Sequence, residues 1–365
     1  MRGLSKQIAK KSKLILVIAI LLLIPSTIGF LKTDINYDIL SYLPNDLSTT
    51  QAEEILKDNF DCGSLAMLII ENMKDKDVSK LKEKLTTVEG VNDVLWIDDF
   101  LDLSVPKEML PKDIKDLLYT ENSTLMVIKL EEGSAALKTL NAVEEIRSIT
   151  GKQAFLSGMA SIIKDTKDIS DKETPLYVIV AVILTLIVLT FTMDSFVTPF
   201  IFLISIGFAI IYNFGTNIIF GEISYITKAL SAVLQLGVTM DYSIFLLHRY
   251  DEEREKYDNH IDAMAIAIQN TTTSVFGSSL TTIAGFLALC SMNLALGMDM
   301  GLVMAKGVLL GVICTVTVLP ALILIFDKQI HKYKHKPILP TFKKSSQIVV
   351  KHYKLLVVLF LILFI

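Results

Sequence analysis

Cysteine is scarce in this chain, which has 3 among 365 residues. Cys62, Cys290 and Cys314 lie far apart, so the sequence predicts no disulfide framework. Histidine is equally rare, and none of the 5 stands at a spacing typical of a zinc site. The chain also lacks a glycine-rich phosphate-binding loop, an HExxH zinc motif and a GxSxG nucleophile motif. We therefore expect neither an enzyme nor a protein that needs a cofactor, a metal, ATP or a nucleic-acid partner.

Apolar residues make up 52% of the chain, and they are grouped into long runs. A membrane-spanning helix needs about 20 predominantly apolar residues. Six runs satisfy this requirement, at residues 14–31, 175–193, 197–216, 223–247, 273–292 and 301–326. A seventh run, 354–365, is too short to cross a bilayer. It predicts that the sequence stops inside a membrane helix and that a further part of the protein is missing.

The ends of the first run indicate how the chain is oriented. The basic residues before it have no acidic counterpart, and they are Arg2, Lys6, Lys10, Lys11 and Lys13. The linker 327–353 is also basic, and cytoplasmic segments carry an excess of lysine and arginine. The first run is too long for a signal peptide, so residues 1–31 are predicted to hold an uncleaved helix with a cytoplasmic amino terminus. The sequence thus predicts a multi-pass protein of the plasma or inner membrane.

Residues 32–172 are predicted to form one extracytoplasmic, porter-type domain between the first two membrane helices. Acidic residues outnumber basic ones in this loop, by 27 to 17. The hydrophobic periodicity predicts strands at Ser64–Glu71, Val91–Ile97, Ser123–Glu131 and Gln153–Ser157, with helices at Asp77–Val88 and Ser134–Thr150. The order βαββαβ is that of a ferredoxin-like α+β fold, and Asp98–Leu118 interrupts it as an insertion.

Residues 173–326 are predicted to form a bundle of the remaining five membrane helices, so the fold class is a polytopic α-helical membrane protein. Residues 251–273 are interpreted as a cytoplasmic amphipathic helix on the membrane surface. Lys228 and Lys306 are interpreted as lysines that extend toward the membrane interface. The fourth helix is predicted to carry one polar stripe for helix packing, made of Ser224, Lys228, Ser231, Gln235 and Tyr242.

Asp241 is an acidic residue within the fourth apolar run. At ~1.5 Å per helical residue it lies about 12 Å from the basic end of that run at Arg249. A charged side chain at the centre of a bilayer costs about 2.5–3.5 kcal/mol on insertion scales. Such residues usually face a protein interior and carry ions or protons. We therefore expect Asp241 to face the interior of the protein and to take part in proton transfer.

The stretch GVTMDYSIFLLHRYDEE, residues 237–253, resembles the fourth-helix motif of the MMPL family, which belongs to the resistance–nodulation–division (RND) superfamily of transporters. Other pieces match the family pattern in the same order, and they are DILSYLP at 38–44, LSG at 156–158 with Asp165, and SSLTTIAGF at 278–286. The resemblance spans essentially the whole chain. It implies the amino-terminal half of a twelve-helix protein.

The resemblance also implies a function, which is export of lipids or other amphiphilic molecules driven by the proton gradient. Asp241 and Tyr242 match an Asp-Tyr pair that faces a second such pair on the tenth helix. Ser278 matches a hydroxyl position of the same relay. The implied partners are the substrate, protons and a carboxy-terminal half that carries the second pair, and a homo-oligomer is also open. Two alternatives remain, a SecDF-like factor for proton-driven protein translocation and a lipid- or sterol-sensing membrane receptor.

Overall fold

The computed structural model describes residues 2–60, 63–100, 119–120, 122–335 and 349–364. The helices are α1 (Arg2–Lys10), α2 (Ser12–Lys32), α3 (Ser48–Phe60), α4 (Asp75–Leu85), α5 (Leu137–Thr150), α6 (Met159–Thr192), α7 (Thr198–Gly215), α8 (Tyr225–Arg254), α9 (His260–Leu289), α10 (Ala295–Ile325), α11 (Asp327–Lys332) and α12 (Tyr353–Phe364). The strands are β1 (Asp34–Asn36), β2 (Ser64–Glu71), β3 (Val91–Leu95), β4 (Tyr119–Thr120), β5 (Ser123–Leu130), β6 (Ala154–Ser157) and β7 (Glu222–Ser224). Most of the predicted insertion at Asp98–Leu118 and half of the basic linker lie outside the described residues.

Six helices in the described part of the chain are long and apolar enough to cross a membrane, which confirms the six predicted runs. They are α2, α6, α7 with the turn after it, α8, α9 and α10. α7, α8 and α10 contribute most of the buried side chains and form the centre of the bundle. α2, α6 and α9 leave most of their apolar windows exposed, as helices that face lipid or another protein do.

Two membrane helices, α6 and α9, begin more than ten residues before their predicted apolar runs. α6 begins at Met159, so the predicted boundary between residues 172 and 173 falls inside one continuous helix. The surface helix predicted at 251–273 is wrong, because its first residues end α8, residues 255–259 form a turn, and the rest belong to α9. Asn259 caps α9 by accepting a hydrogen bond from the Ile261 N–H at 3.0 Å. No glycine or proline occurs from there to Gly277, so nothing stops this helix where its polarity changes.

The sheet domain consists of β2–β6 with α4 and α5. Its strands lie in the order β3-β5-β2-β6, all neighbours are antiparallel, and β4 extends the pairing along β5. β2 has the predicted bounds, whereas β3, β5 and β6 are one or two residues shorter than predicted. The core of this domain includes side chains from both helices and the sheet, among them Ala66, Leu68, Ile70, Val78, Leu85, Val143 and Ile146.

The alternate residues of β2 leave an open apolar face on the sheet domain. Leu65, Met67 and Ile69 are 44%, 51% and 39% exposed, and Phe155 on the neighbouring β6 is 55% exposed. Successive side chains of a strand point to opposite faces, so these residues lie across the sheet from the buried core. A sheet with one bare apolar face is suited to contact a further apolar partner.

One end of the membrane bundle is joined to the sheet domain by a short polar junction. β1, just after α2, pairs in parallel with β7, just before α8. The Tyr37 hydroxyl donates to Asp171 of α6 at 2.7 Å, and its ring stacks on Tyr225 of α8. Lys228 of α8 lies 3.8 Å from the same Asp171 carboxylate. These contacts connect α8 with the helix that enters the sheet domain.

Candidate functional site

Asp241 lies near the middle of α8, about 24 Å along the helix from Tyr225 at ~1.5 Å per residue. The helix begins where the Ser224 hydroxyl accepts a hydrogen bond from the Ile226 N–H at 3.2 Å. Although the sequence predicted an interior position, the described residues do not enclose the Asp241 side chain. Gly237 and Phe245, four residues to either side, are exposed on the same face. The acid therefore belongs to an uncovered stripe of α8.

Tyr242 and Ser278, the other predicted relay residues, differ in exposure, since Tyr242 is buried and Ser278 is exposed. Tyr242 is 4% exposed and packs with Val275 of α9 and Val308 and Val312 of α10. Ser278 of α9 is exposed, as Asp241 is. Within the described part of the chain, Asp241 makes no hydrogen bond or ion pair, and the structure brings no two of the three residues into hydrogen-bond contact.

The opposite face of α8 carries a buried polar seam, which repeats every four residues and consists of Thr227, Ser231, Gln235, Thr239 and Ser243, each at most 5% exposed. The predicted stripe shares only Ser231 and Gln235 with this seam. A search for strict four-residue spacing would have found all five residues, since such residues share one face of a helix. Lys228 lies instead at the end of α8, beside Asp171.

The polar seam joins α8 to α10, and the two helices run in the same direction. The Thr227 hydroxyl donates to Asp299 at 2.5 Å, and the Gln235 amide donates to the Gly307 carbonyl at 3.2 Å. Gly311 has no side chain, because a Cβ there would lie 2.6 Å from the Thr239 hydroxyl. Polar bonds and small residues thus hold α10 close against α8.

The far end of α8 is fixed by charged groups. Arg254 donates to both carboxylate oxygens of Asp327, at 3.0 and 3.1 Å. The Tyr250 hydroxyl donates to the same carboxylate at 3.0 Å. α8 is therefore held at both ends and along one side, while the stripe that bears Asp241 is left open. No group of three potential metal-ligating side chains occurs among the described residues.

Comparison with known proteins identifies the family of this chain. The chain matches the MMPL family over residues 62–350. A membrane protein of Methanocaldococcus jannaschii is 24% identical over 298 residues, which cover 74% of each chain. The apo-petrobactin exporter of Bacillus anthracis is 22% identical over 75% of this chain and 37% of its own length. The siderophore exporter MmpL5 of Mycobacterium tuberculosis is 27% identical over 54% and 21%, respectively.

The chain thus spans well under half of the two exporters. Among solved structures, SecDF in its super-membrane-facing form covers 88% of this chain and 39% of its own, at 14% identity and a TM-score of 0.43. The family match covers most of the sequence, and six helices among the described residues are long and apolar enough to cross a membrane. This chain is a membrane protein and belongs to the MMPL family.

Proposed function

We propose that this chain is part of a proton-driven exporter of hydrophobic or amphiphilic molecules. The observation that carries the proposal is Asp241, an acid on the open stripe of a membrane helix that has no partner among the described residues. A carboxylate that faced lipid at this depth would cost several kcal/mol, so another protein surface must cover it in the membrane. We infer that this surface is either a second half of the protein with its own Asp-Tyr pair or another copy of the chain.

Asp241 is the proton carrier in this proposal. Binding a proton removes the charge of the carboxylate, and with it most of the cost of keeping the side chain away from water. The arrangement of α8 against its partner then depends on whether the proton is bound. One charge that moves across a potential of 100 mV supplies about 2.3 kcal/mol. Proton binding can therefore supply energy for a conformational cycle.

Tyr242 and Ser278 have distinct proposed roles. Tyr242 packs against Val275 and Val308, so it fixes the rotation of α8 about its axis. Because neighbouring helical residues point about 100° apart, this packing directs Asp241 toward the open side. Ser278 is exposed on the adjoining α9 and supplies a hydroxyl on that side. We propose that it passes protons to or from Asp241 once the partner surface is in place.

The sheet domain supplies the proposed path for cargo. We interpret it as a ferredoxin-like porter domain, since β2, α4, β3, β5, α5 and β6 occur in the order βαββαβ. We place this domain on the extracytoplasmic side of the membrane, as the charge distribution of the sequence predicts. Its open apolar face, Leu65, Met67, Ile69 and Phe155, suits hydrophobic or amphiphilic molecules. The names of two relatives, an apo-petrobactin exporter and a siderophore exporter, support outward transport.

The test is efflux of a fluorescent amphiphile from cells that express the full protein. Asp241→Asn removes the titratable group but keeps the size of the side chain. Asp258→Asn is the matched control, because Asp258 is exposed in the turn between α8 and α9. We expect Asp241→Asn and an uncoupler each to reduce efflux at least about tenfold, the size of effect that removing a proton-transfer group has. Asp258→Asn should export like the unmodified protein.

The same assay distinguishes the proposal from its failures. Efflux by Asp241→Asn at the unmodified rate would remove Asp241 from the relay. Efflux that survives the uncoupler would mean that another source of energy drives the cycle. Absence of efflux from the unmodified protein, with a range of amphiphiles, would favour a protein that senses rather than exports its ligand.

A further inference from the structure

Lys306 is a second ionisable residue inside the membrane bundle. It lies in α10 beside Gly307, whose carbonyl accepts from Gln235, so it sits level with that part of α8. Gln235 precedes Asp241 by six residues, or about 9 Å along the helix. Lys306, which was predicted to extend toward the membrane interface, reaches the last turn of α7 and the turn after it. Its ammonium group turns into the bundle and donates to the Asn213 carbonyl at 3.0 Å and to the Asn217 side-chain oxygen.

The acceptors around Lys306 are all neutral. Among the described residues, no carboxylate lies within 4.0 Å of its ammonium group, and the ring of Phe220 lies 5.0 Å away. Asp299 is seven residues earlier in α10 and is bonded to Ser224 and Thr227. Other titratable groups on the elements that pack around α10 include Tyr212 of α7, Glu222 of β7, Cys290 and Cys314, Lys32 after the membrane part of α2, and Tyr225, Lys228, Asp241 and Tyr242 of α8. α9 presents no charged residue between Thr271 and Leu289.

The site around Lys306 contains polar atoms that the described chain leaves without partners. They are Oδ1 of Asn213 and Nδ2 of Asn217, and both residues are at most 1% exposed. A buried polar group without a partner is unfavourable. One of these atoms accepts and the other donates, so water satisfies the pair better than an anion or a cation does. A cavity of ≈ 10 Å³ beside this site, lined by Asn213 and Gln235 together with apolar side chains, has about the room that one water requires.

We propose that Lys306, with Asn213, Asn217 and Gln235, forms a second, hydrated proton-binding site within the membrane. The proton leaves Nζ of Lys306 for a bound water, and the neutral amine gains a lone pair. That lone pair accepts a hydrogen bond from water or from the Asn217 amide after rotation of its side chain. The existence of this site stands on its own geometry, whereas its part in transport rests on the proposed function of Asp241.

Lys306 and Asp241 lie at neighbouring depths in the bundle, and they are charged in opposite states of protonation. Lys306 is charged when it holds a proton, and Asp241 is charged when it has lost one. Loss of a proton by Lys306 and gain of a proton by Asp241 therefore remove both charges from the membrane together. The sum of their charges is zero before and after this exchange. Although the two groups lie on opposite sides of α8, linked changes in their protonation leave no net charge in the bundle.

Two substitutions separate a proton-binding lysine from a fixed positive charge. Arginine keeps the charge and the donors but does not release a proton in proteins, so Lys306→Arg tests release alone. Lys306→Met removes charge and proton while retaining an unbranched side chain. Lys256→Arg is the matched control, since Lys256 is exposed after α8. Thermal unfolding of each purified variant establishes that the protein has folded.

The first measurement is proton uptake by the purified full protein between about pH 6 and about pH 9, where an ordinary lysine remains protonated. We expect Lys306→Arg and Lys306→Met each to take up about one proton fewer per molecule, and Lys256→Arg to be unchanged. Equal uptake by all four proteins would overturn the proposal. This measurement needs no transported substrate, so it gives its answer even if the proposed export is not found.

The second measurement is amphiphile efflux with the same variants. We expect Lys306→Arg and Lys306→Met both to lose at least about tenfold in rate, as a broken proton relay requires. Full efflux by Lys306→Arg would show that the lysine acts only as a fixed cation, for example toward chloride, and would overturn its role in the relay. Suppose that Lys306→Arg takes up one proton fewer but the unmodified protein shows no efflux. The proposed proton-binding site would then stand, and the proposed export function would be rejected.

Discussion

Gly29 and Gly215 meet where α2 crosses α7. A Cβ on Gly29 would lie 2.1 Å from the Gly215 carbonyl oxygen, and a Cβ on Gly215 would lie 2.2 Å from the carbonyl oxygen of Ser26. These obstacles are backbone atoms, which cannot turn aside as a flexible side chain can. The absence of a side chain at both residues therefore sets the distance between the two helices.

We expect Gly215→Ala to destabilise the bundle by about 1–3 kcal/mol, because α2 and α7 must move apart. The better helix propensity of alanine, about 1 kcal/mol, offsets only part of this cost. Gly207→Ala in the same helix is the control, since a Cβ there meets nothing within 4 Å in the part of the chain that the structure describes. Thermal unfolding in lipid nanodiscs measures both variants. Equal stability of the two would contradict the close approach.

Lys82 bridges two acids at one edge of the sheet domain, Asp98 at 2.5 Å and Asp99. Partial burial opposes the effect, but hydrogen bonds from Lys82 and from the Trp96 N–H hold the pKa of Asp99 below its ordinary value. A carboxyl whose pKa is lower in the folded state than in the unfolded state stabilises the fold at pH values above its ordinary pKa. That stability is lost as the pH falls through the lowered pKa.

We expect Lys82→Met to move the acid unfolding of the sheet domain to higher pH, with a loss below about 1 kcal/mol at neutral pH because the pair is partly exposed. Trp96 is the single tryptophan of the chain and is 1% exposed, so its emission reports on this domain within the full protein. Lys80→Met, at a side chain that is 63% exposed, is the control. An unchanged acid midpoint in Lys82→Met would rule out the bridge as a source of stability.

At this scale the sequence located a lone acid in a membrane helix but misjudged its surroundings. Asp241 was found because a lone carboxylate in an apolar run is costly wherever it points. The direction of its side chain depends on how α8 is rotated against α9 and α10, which one helix cannot reveal. The acceptors of Lys306 were not predicted for the same reason, since they belong to α7 and to the turn after it.

Among the elements, α6 is the one that belongs to both parts of the molecule. Ala160 lies in the core of the sheet domain, whereas the apolar run of the helix begins near Pro175 and ends at Thr192. Arg147 of α5 donates to both oxygens of Asp165 in α6, at 2.6 and 2.9 Å. The start of α6 is thus fixed to the sheet domain and its end to the membrane.

We expect an insertion of two glycines after Lys172 to separate the two parts, because glycine is a poor helix former and the insertion also rotates the membrane part of α6 against its start. Efflux should fall strongly while the emission of Trp96 stays unchanged. The same insertion after Asp46, in an exposed turn, is the control and should leave efflux intact. Efflux that survives the Lys172 insertion would mean that motion does not pass through α6.

The elements that periodicity predicted well are those with a clear buried face. The predicted bounds of β2, Ser64–Glu71, match the structure to the residue. Buried and exposed side chains alternate along this strand, and a pattern of period two predicts a strand. The boundaries inside α6 and α9 were missed, since a change of polarity was taken for a change of element. The β1–β7 pair has three residues in each strand and joins distant parts of the chain, so no local pattern predicts it.

For the whole molecule, the open side of α8 and α9 is the feature that calls for a partner. Its exposed residues include Asp241 and Gly237 of α8 and Ser278 and Gly285 of α9, and a Cβ on either glycine would meet nothing within 4 Å among the described residues. Small and hydroxyl-bearing residues on one side of two neighbouring helices suit close contact with a further helix. The rest of the bundle is already packed through α7, α8 and α10.

We expect this side to be covered by protein in the membrane. In a cysteine-free background, Gly237→Cys should react slowly with a lipid-soluble maleimide. Leu184→Cys, on the exposed side of α6, is the control and should react readily. The expected difference is at least about tenfold, as protein packing excludes the reagent. Equal reaction at the two sites would show that this side faces lipid and would remove the proposed partner.

The continuous helix α6 has a mechanical consequence for the molecule. From Pro175 to Met159 it extends about 24 Å at ~1.5 Å per residue, so it acts as a lever arm. A tilt of about 10° of its membrane part would carry the Met159 end through about 4 Å, close to the ~4.8 Å between neighbouring strands. A small tilt of α6 in the membrane would thus reach the sheet domain as a displacement nearly as large as the spacing of two neighbouring strands.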